Sequence, residues 1–190
     1  MTEELAQISD TELVARLKRR DKSALEDLVC LHGAKLYGVA LQFMRNETDA
    51  QDVVQDALVS IWKRIDSFEG RSAFTSWLYR VTANAALMAL RKRRKRDQDV
   101  PEENLLNLHD RSPQPGTRLI NGELGERVRA GIDTLPDSYR EVVLLRDVNE
   151  LSLEEIAGIT GLSESAIKSR LHRGRLLLRQ ALLPYLKGQE

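Results

Sequence analysis

Two helical domains joined by a flexible linker, an all-α fold, is the architecture this sequence predicts. Three observations carry it. Aromatic residues make up only 5% of the 190-residue chain, whereas the strong helix formers Leu, Ala, Arg, Glu and Lys abound. Apolar residues recur at helical spacing over long stretches on both sides of the chain's middle. Between them the span 97–122 holds Pro101, Pro113, Pro115 and Gly116 and sustains no period. The expected domains are 1–96 and 123–190, with 97–122 as a partly acidic linker (Asp97, Asp99, Glu102, Glu103, Asp110).

In the first domain, Ser9-Asp-Thr-Glu12 has the form of a capping box, and Leu13, Val14 and Leu17 fall on one side of the helix it opens. A second helix is expected over Ser23–Met44, with Leu25, Leu28, Val29, Leu36, Val39, Ala40 and Phe43 as its apolar positions. Asn46-Glu-Thr-Asp49 reads as a turn and a helix start. From there Ala50, Val53, Val54, Ala57, Leu58, Ile61, Trp62 and Ile65 form a helical stripe, and Asp49, Asp52, Gln55 and Asp56 lie off it, facing outward. Phe68-Glu-Gly70-Arg71 breaks the pattern. A short helix with Phe74, Trp77 and Leu78 then runs into, or kinks toward, a helix through Asn84. The spacing of Trp77 with Leu78 and Val81 favours a core position for that ring.

In the second domain, Leu124, Val128 and Ile132 mark one helix, and Leu135-Pro136 opens the next, proline being harmless in a first turn. The stretch LSLEEIAGITGLSESAIKSRLHRGRLLLRQAL, Leu151–Leu182, carries a second capping box, Ser152-Leu-Glu-Glu155, with Ile156, Ala157 and Ile159 as a short apolar face. Gly161 stands where a cramped turn is needed, and Ser163 caps the following helix. There Ala166, Ile167 and Leu171 point inward, and Ser165, Lys168, Ser169, His172, Arg173 and Arg175 point outward. A short helix, a glycine turn and a basic second helix make a helix-turn-helix whose second helix suits the major groove of duplex DNA. Lys and Arg pair with guanine edges, Ser and His add polar contacts, and some of these side chains hold phosphates.

Lys plus Arg equals Asp plus Glu at 29 each, so only the distribution of charge is informative. Residues 46–69 carry Glu47, Asp49, Asp52, Asp56, Asp66 and Glu69 against Lys63 and Arg64. Residues 71–96 carry Arg71, Arg80 and the unbroken basic run Arg91–Arg96, with no acid. Such segregation points to separate faces for separate partners. A segment that joins Phe74, Trp77 and Tyr79 to six basic residues suits a surface that holds a phosphate backbone and stacks exposed bases. The single cysteine, Cys30, excludes an internal disulfide, argues against structural zinc and fits the reduced cytoplasm. The acidic start MTEELAQISD does not read as a signal peptide, and no apolar run approaches the ~18–20 residues of a membrane span. His32, His109 and His172 are scattered and no P-loop glycine motif occurs, so nothing supports an enzyme.

Taken in order, DAQDVVQDALVSIWKRIDSFEGRSAFTSWLYRVTANAALMALRKRRKR (Asp49–Arg96) and LPDSYREVVLLRDVNELSLEEIAGITGLSESAIKSRLHRGRLLLRQAL (Leu135–Leu182) resemble an extracytoplasmic-function (ECF) sigma factor of bacterial RNA polymerase, the group of the σ70 family that keeps only a σ2-like helical bundle and a σ4-like helix-turn-helix domain. The resemblance spans about residues 10–185. It implies binding to the polymerase core through its β′ and β subunits, with Asp49, Asp52, Gln55 and Asp56 meeting the β′ clamp helices. It implies that Phe68–Arg96 opens and captures the −10 element as a single strand. Phe68, Ser72, Phe74 and the Gly70–Thr75 backbone are then candidate pocket walls, Arg71 a further −10 DNA contact, Asn84 a reader of a base edge, and Arg80 with the Arg91–Arg96 run (Arg91, Arg93 and Arg94 above all) phosphate holders. Ser165, Lys168, Ser169, His172, Arg173 and Arg175 would read the −35 duplex. An anti-sigma partner, no catalysis, no cofactor and no metal also follow from the resemblance, with the linker threading through polymerase.

Alternatives stay open on the residues alone. The acidic face of Asp49–Asp56 also suits plain solvation or, more remotely, Mg²⁺. The second domain alone equally suits a stand-alone duplex-binding regulator. Two departures from the family pattern stand out: Met88 where many relatives have Asp, and Gly174 where Ala is more usual, the latter costing up to ~1 kcal/mol of helix propensity.

Overall fold

A computed structural model describes residues 8–98 and 123–186. The chain divides into two compact units, Met1–His109 and Asp110–Glu190. Residues 99–122, most of the expected linker, lie outside the described residues. Every described element is helical.

Unit 1 holds α1 (Asp10–Lys18), α2 (Ser23–Met44), α3 (Glu47–Arg64), a 3₁₀ turn (Ile65–Ser67) and α4 (Phe74–Gln98). Helices α2, α3 and α4 pack against one another, and α1 lies on α2 and on the 3₁₀ turn. Leu13, Leu17, Leu28, Leu36, Ile61, Ile65 and Leu78 are fully buried in their shared core. The starts and stops are local chemistry. Ser9 Oγ accepts the Glu12 amide at 3.2 Å, and Asn46 Oδ1 accepts the Asp49 amide at 2.9 Å. Each such cap is worth about 1 kcal/mol. Glu47 and Asp49 in the first turn of α3, with Lys63 and Arg64 in its last, complement the helix dipole. Two expectations change. Val29 is exposed, not core. The short helix expected at Phe74 continues unbroken to Gln98, because nothing in its sequence removes a backbone donor.

Unit 2 holds α5 (Glu123–Asp133), α6 (Asp137–Val143), a π turn that prolongs it (Leu144–Val148), α7 (Leu153–Thr160) and α8 (Glu164–Leu186). Helices α5, α6 and α7 all pack on α8. Pro136 is the cap residue ahead of α6. Of the three residues that mark α5, Leu124 is 64% exposed, Val128 is half-buried and only Ile132 is in the core. Gly174 is explained by packing. A Cβ there would lie 2.8 Å from Val143 Cγ2 and 3.3 Å from Tyr139 Cβ, so glycine lets α6 and α8 approach. Arg140 is 4% exposed and donates to Asp133 Oδ1 through Nε (3.2 Å) and Nη2 (2.9 Å), tying α5 to α6.

Candidate nucleic-acid and protein interfaces

The helix-turn-helix is assembled by capping. Ser152 Oγ accepts the Glu155 amide at 3.1 Å while Glu155 Oε2 accepts the Ser152 amide at 2.7 Å, a complete capping box. Gly161 closes α7 at φ +73°, the left-handed conformation that a side chain disfavours. Ser163 Oγ accepts the Ala166 amide at 3.3 Å, which opens α8. Ile167 and Leu171 are buried, and Ser165, Lys168, Ser169, His172 and Arg173 are exposed on one face. Lys168 makes only an exposed pair with Glu164 at 3.4 Å, worth a few tenths of a kcal/mol and easily given up. Arg175 departs from the expected row. Its Nε and Nη2 donate to Asp147 at 3.0 and 2.6 Å, which ties α8 to the π turn, and these bonds raise its pKa above the usual arginine value.

The aromatic corner of unit 1 requires another correction. Phe74 is 4% exposed, with its ring stacked on Trp77 (centroids 6.0 Å apart) and edge-on to His32 (5.9 Å). It is a core ring, in one buried cluster with Leu13, Leu17, Leu28 and Leu78, and it does not face solvent as a pocket wall. Trp77 is core as its spacing indicated. Phe68 is half-buried against both rings, at 5.4 and 5.7 Å, and is the outer member of the trio. Beyond it Gly70 turns at φ +75° with open space where a Cβ would stand, Arg71 pairs with Glu69 at 2.6 Å on the open surface, and Ser72 is half-buried.

Along α4, Arg80, Asn84, Arg91 and Arg94 fall within a sector of about 80° at 100° per residue. The phosphate-holding candidates thus extend about 30 Å from the corner. Arg93 points to the opposite side. Its Nη1 donates to Asp49 Oδ2 at 3.3 Å, with both side chains partly covered. Arg93 is therefore engaged with α3, and Asp49 is the least available of the four expected core-binding residues, while Asp52, Gln55 and Asp56 are exposed. Among the described residues no cluster of His, Cys, Asp or Glu is arranged to hold a metal ion, and no helix is long and apolar enough to cross a membrane.

Two features escaped the sequence reading. Val59 is exposed one turn beyond Asp56, adding an apolar contact to the acidic face. Its only sequence signal was a valine off the buried stripe. Leu176, Leu177, Leu183 and Tyr185 are exposed on the far end of α8, and Arg127 sits over the Tyr185 ring at 4.6 Å. Three consecutive leucines at 176–178 cannot all face inward at 100° per residue, which was the available signal.

Comparison with known proteins matches these two constructions to named regions. The model of Sigma-70 region 2 matches residues 28–96, and that of Sigma-70 region 4 matches residues 125–178. The RNA polymerase sigma-H factor of Pseudomonas aeruginosa is 32% identical over 96% of this chain and 98% of its own. The ECF sigma factor SigW of Bacillus subtilis is 31% identical over 89% of this chain and 94% of its own, and the ECF sigma-E factor of Escherichia coli is 30% identical over 95% and 98%. The chain belongs to the ECF sigma factors. Among solved structures, the Bartonella quintana sigma factor RpoE, in complex with the anti-sigma factor NepR, is 27% identical with a TM-score of 0.62 over 83% of this chain and 94% of its own. CnrH, in complex with the cytosolic domain of CnrY, is 29% identical with a TM-score of 0.54 over 91% and 96%. As an ECF sigma factor the chain joins core RNA polymerase and directs it to promoter DNA. Its region 2 lies in unit 1 and its region 4 in unit 2.

Proposed function

We propose that this sigma factor divides promoter recognition between its units, region 4 reading the −35 duplex and region 2 opening and capturing the −10 strand. The observation that carries the reading is the exposed row Ser165, Lys168, Ser169, His172 and Arg173 on a helix fixed at its start by a serine cap and a glycine turn. Five polar or basic side chains on one rigid face supply both base-edge donors and phosphate contacts. In unit 1, Phe68 and Ser72 at the corner, Asn84 on α4, and Arg71, Arg80, Arg91 and Arg94 along the same segment form the strand-binding set. Arg93 and Arg175, engaged within their own units, and the buried Phe74 act as supports.

Asp52, Gln55 and Asp56, with Val59, form the surface that docks on the β′ coiled coil, and the exposed end of α8 suits a second protein contact such as the β subunit. RpoE of Bartonella quintana is seen bound by the anti-sigma factor NepR, which supports control of this chain by an anti-sigma factor that covers the same faces. The chain acts in the cytoplasm, reaching the inner membrane only through such a partner, and catalyses nothing itself. Run-off transcription with purified core and a genomic promoter pool tests the reading. Transcripts from defined start sites should appear only when the chain is added. Binding of the chain to a duplex site with full affinity in the absence of core would indicate a stand-alone regulator.

A further inference from the structure

Between α1 and α2 the chain turns through Arg19–Lys22, and the turn is a Schellman motif: the Arg20 amide donates to Leu17 O at 3.0 Å and the Asp21 amide to Arg16 O at 3.1 Å. Its left-handed residue, where glycine is usual, is Arg20 at φ +62°. An arginine in that conformation is less favourable than glycine, a cost the surrounding contacts must offset, as they do at Arg45 and Glu150. At Arg20 those contacts are its own: the guanidinium donates to the carbonyl of Trp62 and to the Asp66 carboxylate, and it lies over the Trp62 ring at 5.5 Å. Two residues earlier, Lys18 Nζ donates to the carbonyl of Phe68 at 2.8 Å. Both reach across the fold to the corner where α3 ends and the chain swings toward Gly70 and α4.

The turn itself is held firmly. Arg16 donates to Asp21 (2.9 Å), Asp27 (2.6 Å) and Ser23 (2.8 Å), which joins the end of α1 to the start of α2. From this anchored base the Lys18 contact runs to the backbone of Phe68, the residue that opens the candidate strand pocket, and the Arg20 contacts run to Trp62 and Asp66 just before it. Lys18 and Arg20 both precede the region 2 match, which begins at residue 28, while their targets Trp62, Asp66 and Phe68 lie within it.

We propose that Lys18 and Arg20 are positioning residues for strand capture, pinning the Trp62–Phe68 corner so that Phe68 and the Gly70–Ala73 loop meet an unstacked base in a fixed geometry. The inference rests on the −10 role proposed above. If that role holds, loosening the corner costs capture of the strand and leaves attachment to polymerase alone, because Asp52, Gln55 and Asp56 lie on the outward face of α3 and touch neither side chain.

The variant that isolates the effect is Arg20→Gly. It deletes the guanidinium and supplies the residue the left-handed position favours, so the fold is kept; Lys18→Met removes a single exposed hydrogen bond. Holoenzymes carrying each variant, and both together, are titrated with a fluorescent single-stranded oligodeoxynucleotide copying the non-template −10 strand of a promoter found by run-off transcription. Assembly with core is titrated in parallel. The expected result is a loss of strand affinity of about tenfold in the double variant, with core affinity unchanged and Lys18→Arg near wild type. Unchanged strand affinity in the double variant overturns the proposal. So does a loss of strand and core affinity in equal proportion, since the contacts would then serve only the fold. Failure of the wild-type holoenzyme to bind the oligonucleotide removes the −10 reading itself, a result distinct from the other two.

Discussion

The two units solve the problem of presenting DNA-binding side chains in opposite ways. Unit 2 sets the residues proposed to read the −35 duplex on one regular helix, fixes that helix at its start with Ser163 and the Gly161 turn, and keeps Ile167 and Leu171 beneath them. Unit 1 builds its candidate pocket at a corner between helices, where position depends on rings and long side chains arriving from elsewhere: Phe74 and Trp77 from α4, Lys18 and Arg20 from the turn after α1. In the first design, reading and stability are separable. In the second, the same segment supplies both.

This contrast sets the size of the expected effects. Truncating Phe74 to Ala empties a buried site against His32, Phe68 and Trp77 and should lower the stability of unit 1 by about 3–5 kcal/mol. Arg173→Ala, on the exposed face of α8, should change stability by less than about 0.5 kcal/mol while abolishing much of the −35 preference. Denaturant unfolding monitored separately in the two units distinguishes these outcomes. Arg140→Met should cost unit 2 about 2 kcal/mol, because Asp133 loses a charge-assisted partner. Next comes Gly174→Ala, expected to destabilise unit 2 by about 1–2 kcal/mol despite its better helix propensity, since Val143 is fully buried and Tyr139 Cβ has no freedom to retreat. Val143→Ala in the same chain should recover part of the loss; a more stable Gly174→Ala chain would show that the two helices part easily.

On the protein-binding side, Asp52→Asn or Asp56→Asn should weaken assembly with core about fivefold each, and Asp49→Asn less, because its carboxylate already faces Arg93. Equal losses at all three positions would remove that distinction. The smallest effect concerns pH. Hydrogen bonds from Ser23 and Arg16 hold the Asp21 carboxyl below its ordinary value. A depressed carboxyl stabilises the fold above its unfolded pKa of 3.8 and loses that contribution as pH falls through the lower folded value. The stability gap between wild type and Asp21→Asn should therefore begin to close as pH falls below 3.8 and vanish below the lower folded value, and a constant gap at all pH values would remove the role.

The same contrast explains what was legible beforehand. The α3 stripe from Ala50 to Ile65 and the outward row of α8 could be placed because a helix of 3.6 residues per turn assigns each residue a side without knowledge of its neighbours. The capping box at Ser152 and the glycine turn were local for the same reason. Phe74 could not be placed by that rule, since a ring at the first turn of a helix faces solvent or core according to which helices lie beside it. Arg93 and Arg175 looked like members of basic rows, and their carboxylate partners stand 44 and 28 residues earlier in the chain. The π turn at Leu144–Val148, held by the buried Asn149 side chain on Leu144 O at 2.8 Å, has no compositional signature. Nor does Arg20, whose left-handed backbone appears only in the folded turn.

The division of labour between the units is tested most directly by footprinting holoenzyme on one promoter, reading −35 protection from nuclease and −10 thymine reactivity to permanganate in the same samples. Substituting His172 and Arg173 together should erase the −35 footprint on duplex DNA, yet leave a promoter supplied with a premelted −10 bubble still bound in its open form. Substituting Arg80 and Asn84 should leave −35 protection in place and erase thymine reactivity. Loss of both signals together from either pair of substitutions would contradict the account.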